Sequence, residues 1–347
     1  MSNDNGQWRP PARSEQNEPV EVFTDERYLP PAVAHPSPQQ MEARRRRSLV
    51  TAVVLFVLTL LSTLAVGAQF AAAYANNQAP TFDDFFSSYF TVLTQPRLLL
   101  AGVPFAFTLI GILLAHELGH FFACRYYSIS ASYPYFIPAP TLIGTLGAFI
   151  RIRSPIINRK ALFDIGLAGP VVGFLFAVPA LAIAIAHSKV IPVAPSDAAV
   201  VFGEPWLSRL LLAWLRPGVS PADILLHPVG RAAWVGLFAT GLNLLPAGQF
   251  DGGHILYALA SRRHRLVSLC VAAVLLCLGL TGILHPNTGF WPGWLMWAAL
   301  ILLLGFRHPP LLDRREPLDR NRWLWAGVAL LIFLLCFMPV PINTPSS

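Results

Sequence analysis

Glu117 stands between two histidines four residues apart in the run His116-Glu117-Leu118-Gly119-His120. A spacing of four puts both imidazoles on one face of an α-helix, one turn apart, so both can reach a single metal ion. Glu117, next to the first of them, can contact water at that metal without being a ligand, and so can act as a general base. The run is short enough to arise by chance, and a structural polar cluster is the competing reading. Its flanks decide between them: the motif interrupts a long apolar stretch, where an acid and two histidines in one turn are costly and usually functional.

A catalytic zinc takes three protein ligands and keeps a position open, so one more ligand must come from elsewhere. Asp251 is the candidate, in Asn243-Leu244-Leu245-Pro246-Ala247-Gly248-Gln249-Phe250-Asp251-Gly252-Gly253. Pro246, Gly248, Gly252 and Gly253 break the helix there and let the backbone turn the carboxylate toward a neighbour. Alone, Asp251 reads as a helix-end cap; together with the histidine pair it becomes the favoured ligand. Cys124, Cys270, Cys277 and Cys336 lack CxxC spacing, which argues against thiolate ligation.

The elements that must carry these residues are membrane helices. Hydrophobic residues make up 54% of the chain, charged residues 12%, and mean hydropathy is +0.54, outside the range of ordinary soluble domains. Apolar stretches at 49–70, 98–122, 162–186, 228–250, 266–284, 290–306 and 323–341 approach the roughly 20 residues that cross a bilayer. The one at 290–306 is the shortest. The fold expected is an all-α polytopic membrane protein of six to eight transmembrane helices, seven being the best count. Residues 1–47, rich in Pro, Glu, Gln and Arg, read as a disordered cytoplasmic tail, and 48–347 as one membrane domain with its core at about 100–260. No cleavable signal peptide is expected.

A net charge of +7 would point to nucleic acid in a soluble chain. Here the basic residues cluster beside the apolar stretches, so lipid bilayer is the expected partner and nucleic acid is not. Twenty of the 25 Lys and Arg residues fall in segments on the amino-terminal side of the membrane and four, Arg97, Lys189, Arg209 and Arg216, on the other, with Arg231 inside a stretch. The positive-inside rule then places the amino terminus and the histidine pair toward the cytoplasm, in the expected setting of a bacterial cell membrane.

Residues 131–155 differ from the rest. Tyr133 to Pro140 carries three prolines, and Gly144 to Arg153 ends in the alternating Ile150, Arg151, Ile152, Arg153, which reads as a short strand over 144–153. A re-entrant β-like segment lining a cavity and an ordinary cytoplasmic loop are the two readings. Trp206 to Leu215 aligns Leu207, Leu210, Leu211 and Trp214 as a short interfacial helix, a surface anchor rather than a gate. His254 reads as a residue behind the ligands rather than as one of them, Asp164 as an interfacial cap. His187, His227, His264, His285 and His308 lack ligand spacing.

These motifs resemble the site-2 proteases, a family of intramembrane zinc metalloproteases. HELGH is similar to the family's HExxH helix and NLLPAGQFDGGHI to its second signature, while GTLGAF (Gly144 to Phe149) and FDIGLAGPVVG (Phe163 to Gly173) look like its glycine-rich segments. The resemblance covers about residues 100–260. It implies one zinc per chain held by His116, His120 and Asp251, with Glu117 as catalytic acid/base and Asn243 orienting substrate or oxyanion. By itself, Asn243 reads as a helix–helix hydrogen bond. The implied activity is hydrolysis of peptide bonds in membrane-spanning substrates, commonly membrane-tethered regulators, the unwound segment docking along Gly144, Leu146, Gly147 and Phe149. A membrane metal-ion transporter and an inactive protease-like scaffold are the alternatives. The first calls for more polar residues along the later stretches than this chain has; the second is opposed by the intact motifs.

Overall fold

A computed structural model of the chain describes residues 38–81, 89–90, 94–191, 200–285, 288–304, 308, 311, 313 and 317–343. Of the unit formed by Met1–Arg45 it describes the helical residues from Pro38; the unit Arg46–Ser347 carries everything below. Helix α1 runs Pro38–Ala75, so the last ten residues of the expected tail are helical. Pro38 opens the helix, where its missing N–H costs nothing, and Gln39 to Arg47 are almost all strong helix formers. Residues 1–37 lie outside the described residues.

The remaining apolar stretches all fall on helices. Helix α2 (Val103–Tyr126) follows a 3-10 segment at Pro96–Gly102. Helix α3 (Arg159–His187) opens on Asn158, whose side chain accepts from Ala161 N, and α5 (Pro228–Asn243) follows the short α4 (Trp206–Leu215). Then come α6 (Asp251–Ala260), α7 (His264–Leu284), α8 (Trp294–Leu304) and α9 (Arg320–Cys336). Among the described residues, four helical segments are long and apolar enough to cross a membrane: Arg45–Ala75, Pro96–Tyr126, Arg159–His187 and His264–Leu284. Helices α5, α8 and α9 have 16, 11 and 17 residues, so the seven expected spans resolve into four long helices and three short ones. Helix α5 is short because it stops at Asn243, three residues before Pro246.

Helix α2 packs on α3 and α5, α3 also on α5 and α6, and α7 on α8. Close approach of α1 to the start of α2 requires glycine: a Cβ on Gly102 would lie 2.0 Å from the Leu64 carbonyl oxygen. At one end of the bundle Arg322 of α9 pairs with Asp164 of α3 at 2.5 Å, and the Tyr127 hydroxyl donates to the same carboxylate. Asp164 thus ties three helices together at the interface. Arg159 donates to the carbonyls of Ala258 and Leu259 at the end of α6. At the other end the Trp294 indole donates to Pro339 O, and two small antiparallel pairs, β3 (Lys189–Val190) with β5 (Ile224–Leu225) and β4 (Val201–Phe202) with β6 (Ile342–Asn343), close the loops.

The segment 131–155 forms a hairpin of β1 (Tyr135–Pro138) and β2 (Thr145–Phe149), pairing Tyr135 with Phe149 and Phe136 with Ala148. It lies along α1. Its mouth meets Ser48, whose Oγ is 2.5 Å from the Tyr135 hydroxyl; Phe136 packs edge-on to Phe56; and the Ser62 hydroxyl donates to Gly144 O at the tip. Ser48 to Ser62 is fourteen residues of helix, about 21 Å at 1.5 Å per residue, so the hairpin reaches well into the depth that α1 crosses. This is the re-entrant reading, not the surface loop. The strand is shorter than the expected 144–153: after Phe149 the chain leaves β1, and Arg151 to Arg153 instead bond back to Ser130 and Ser132, with one isolated bridge between Ala131 and Ile152.

Candidate metal centre

Helix α2 delivers His116 and His120 one turn apart, and the first turn of α6 delivers Asp251. Their donor atoms converge: His116 Nε2 and His120 Nε2 are 3.1 Å apart, and Asp251 Oδ2 is 3.2 Å from the first and 3.3 Å from the second. Both histidines are buried and Asp251 is half-buried. A tetrahedral zinc with Zn–N and Zn–O bonds near 2.0–2.1 Å separates its ligand atoms by about 3.3 Å. The three donors already have that spacing.

Tautomer chemistry supports a cation at their centre. His120 Nδ1 lies 2.7 Å from the Ile165 carbonyl oxygen of α3, a partner that can only accept, so Nδ1 carries the proton and a neutral ring turns the lone pair of Nε2 to the cluster. That lone pair faces another imidazole nitrogen and a carboxylate oxygen. With His116 in the same tautomer three lone pairs would meet in one buried spot, an arrangement that a cation between them satisfies.

Glycines of α3 make room for the two rings. A Cβ on Gly169 would sit 2.1 Å from His120 Nε2, and one on Gly173 would sit 3.0 Å from His116 Nδ1. Helix α3 therefore presses its backbone against the imidazoles and holds their rotamers. The sequence marks these glycines only as a resemblance to a family segment; their contact with the ligands is what the fold adds. The Asp251 loop is held as tightly. A Cβ on Gly252 would lie 2.1 Å from Leu244 O, His264 Nε2 lies 3.0 Å from Gly248 O, and Gly248 N donates to Ser268 Oγ. His264, read as lacking a ligand role, fixes this turn from α7.

Glu117 is buried beside the pair, with the main-chain N–H of Ile150, just past β2, directed at its carboxylate. Thus the hairpin ends at the acid. The Asn243 amide of α5 is 3.2 Å from His116 Nε2 of α2, a contact between two helices that also sets the amide at the border of the cluster. Along the hairpin, Leu146 and Phe149 are exposed, and Gly147 (φ 102°) has nothing within 4 Å of a would-be Cβ. Gly144 (φ 82°) is instead packed at the tip against Ser62 and Thr63 of α1. Among the described residues β2 pairs only with β1, which leaves its other edge open.

His254, one turn beyond Asp251 on α6, places Nδ1 2.7 Å from His308 Nε2, and the His308 ring stacks on Tyr257. His254 is not among the converging donors, and no spacing in the sequence joins it to His308. Asp164 lies with Tyr127 and Arg322; burial and the Asp164 carboxylate push the Tyr127 phenol up to about 12. His227 caps α5 by accepting from Val229 N, and burial together with His187 lowers its pKa. His187 bonds its own helix at Ile183 O.

Comparison with known proteins agrees with this geometry. The model of peptidase family M50 matches residues 104–284, which include every residue of the cluster. The chain is 31% identical over 304 residues to a probable chloroplastic zinc metalloprotease, EGY1, of Arabidopsis thaliana, covering 84% of this chain and 53% of the relative. It is 30% identical over 261 residues to a probable chloroplastic zinc metalloprotease, EGY2, of Oryza sativa subsp. indica, covering 71% of this chain and 44% of the relative. The chain thus spans about half the length of the curated relatives it matches.

Proposed function

This chain belongs to peptidase family M50, and on that premise we propose that it is an intramembrane zinc metalloprotease that hydrolyses peptide bonds in membrane-spanning segments of other proteins. The observation that carries the proposal is the convergence of His116, His120 and Asp251, from two helices, to mutual distances of 3.1–3.3 Å. His116, His120 and Asp251 would hold one zinc ion. A bound zinc supplies Lewis acidity toward the scissile carbonyl and acidifies water. Glu117, adjacent to His116 and not among the donors, accepts a proton from the attacking water and returns it to the leaving amine as the C–N bond breaks. The Asn243 amide, beside His116, is placed to hydrogen-bond the carbonyl oxygen as it gains charge.

A substrate helix has its carbonyls bonded internally and must unwind before it can be cut. The open edge of β2 offers replacement main-chain partners, with Leu146, Gly147 and Phe149 along the docking edge and Gly144 holding the tip to α1. Because the hairpin ends where Ile150 N meets Glu117, a strand paired there passes the acid. The asymmetry of the basic residues supports an orientation with this end of the bundle toward the cytoplasm or its equivalent. The plant relatives are chloroplastic, and nothing in them supports the bacterial cell membrane expected from sequence. A membrane-spanning protein is the partner that follows.

Purified chain in lipid nanodiscs with a labelled model membrane helix tests the proposal. Cleavage by the wild type, abolished by Glu117→Gln and by chelation, is the expected result. Intact substrate together with zinc flux across vesicles would establish the transporter instead; intact substrate with neither activity would leave a scaffold.

A further inference from the structure

Twelve residues from Asn243, at the opposite end of α5 and about 18 Å away along the helix, lies a second site. A cavity of about 390 Å³ is lined mainly by apolar side chains, Ile185, Leu212, Leu225 and Trp234 among them, and by Arg231 and Glu204. Arg231 is the unusual member. Its guanidinium lies 4.7 Å from the Phe202 ring centroid and, among the described residues, has neither a hydrogen-bond acceptor nor an ion-pair partner within 4 Å. Glu204 is close enough to interact electrostatically with Arg231, yet it pairs with Arg209, whose Nε is 3.4 Å from Oε2. Glu204 is thus shared between Arg231 and Arg209, which stands outside the lining, and Arg231 has no acceptor of its own among the described residues. Five N–H donors in an apolar chamber are costly unless something accepts from them.

We propose that this cavity binds an anionic amphiphile, a carboxylate or phosphate carried on an acyl chain, with its head on Arg231 and its chain against the apolar wall. The occupant class follows from the surroundings. The cavity volume is that of a small-molecule site, and the Arg231 guanidinium, without an acceptor among the described residues, suits one anionic head. Helix α4, which contributes Ser208 and Leu212 to the lining, keeps Leu207 and Leu212 buried and exposes Trp206, Leu210 and Trp214, the pattern of a helix lying in the headgroup layer. A molecule of the adjacent leaflet would therefore already be at the cavity's edge. This inference does not rest on the protease reading.

Photolabelling of the full chain in nanodiscs tests it, with a diazirine-bearing fatty acid, the matching lysophosphatidate and the matching fatty alcohol, and with labelled peptides mapped by mass spectrometry. The expected result is labelling around Leu212, Leu225 and Trp234 by at least one of the two anions, tenfold or more above the alcohol, with the anion that labels identifying the source. Arg231→Gln should lower that labelling about tenfold, the scale of losing a charge-assisted hydrogen bond; Arg231→Lys should largely preserve it. Labelling of the lipid-facing side of α7 and bound zinc serve as controls for folding. Ala222→Trp, which fills the cavity and leaves Arg231 in place, should also abolish it. Equal labelling by acid and alcohol, or undiminished labelling in Arg231→Gln with zinc retained, would overturn the proposal.

Discussion

Substituting Gly169 by alanine adds one methyl group at the tightest point of the metal centre. Its Cβ would stand 2.1 Å from His120 Nε2 and 2.5 Å from both neighbouring ring carbons, well inside contact distance. The backbone of α3 cannot yield alone, because the same helix holds the ring through the 2.7 Å contact between Ile165 O and Nδ1. Either the imidazole rotates off its carbonyl or the two helices separate. Overpacking of this kind costs about 1–3 kcal/mol of stability. Losing the carbonyl that orients a ligand histidine lowers metal affinity by about 10- to 100-fold, and displacing the ligand itself lowers it further. Gly111 on α2 is the matched control, since a Cβ there meets nothing within 4 Å; Gly111→Ala should keep its zinc and gain about 0.5–1 kcal/mol from helix propensity. Zinc retained against a graded chelator, measured with thermal unfolding of both variants, gives the answer. Wild-type zinc affinity in Gly169→Ala would refute the idea that α3 backbone sets the ligand rotamers.

His227 accepts from Val229 N as the cap of α5, and its pKa is lowered by burial first and by His187 second. A depressed folded pKa gives stability that is present above about 6.5 and is lost as pH falls through the folded value. Thermal unfolding of the wild type should therefore weaken from pH 7.5 to 5, by up to about 1 kcal/mol for one cap, and His227→Asn should flatten that part of the profile; an unchanged slope would remove His227 as its source. Photocrosslinkers at Leu146 and Phe149 should capture a model membrane helix on Glu117→Gln enzyme, whereas capture confined to α7 and α8 would reduce the hairpin to a structural element. Single cysteines at positions 160 and 262 in a cysteine-free chain should react with an impermeant reagent only from the side opposite to position 217, and labelling of all three from one side would sink the orientation.

Much of the metal centre is legible in the chain because each ligand sits in a local pattern with its own mechanics. A spacing of four aligns His116 with His120, and the breakers around Asp251 free it to turn. The seven apolar stretches likewise mark seven helices. What the sequence conceals is contact between distant segments. Composition and spacing do not tell Gly169 and Gly173, where an added Cβ would meet the ligand rings, from Gly111, where it would meet nothing within 4 Å. His254 and His308 are 54 residues apart and meet only because α6 brings them together. Alternation from Ile150 to Arg153 has the right period for a strand, but period does not choose a partner, and these residues pair with 130–132 instead of extending β2. Helix α5 is shorter than its apolar stretch because hydrophobicity continues through the turn that ends it, and α8 because its stretch includes the turn at Pro292 and Gly293 that precedes it.

Metal content of two purified variants, read beside cleavage of a model membrane helix, bears most directly on the catalytic assignment. Asp251→Ala removes one of three converging donors and should purify folded but metal-poor. Glu117→Gln keeps all three and removes only the base, whose contribution is typically about 10²- to 10⁴-fold, so it should retain about one zinc per chain and lose cleavage to that extent. Full zinc in Asp251→Ala, or wild-type cleavage by Glu117→Gln, would contradict the division of roles between the two acids.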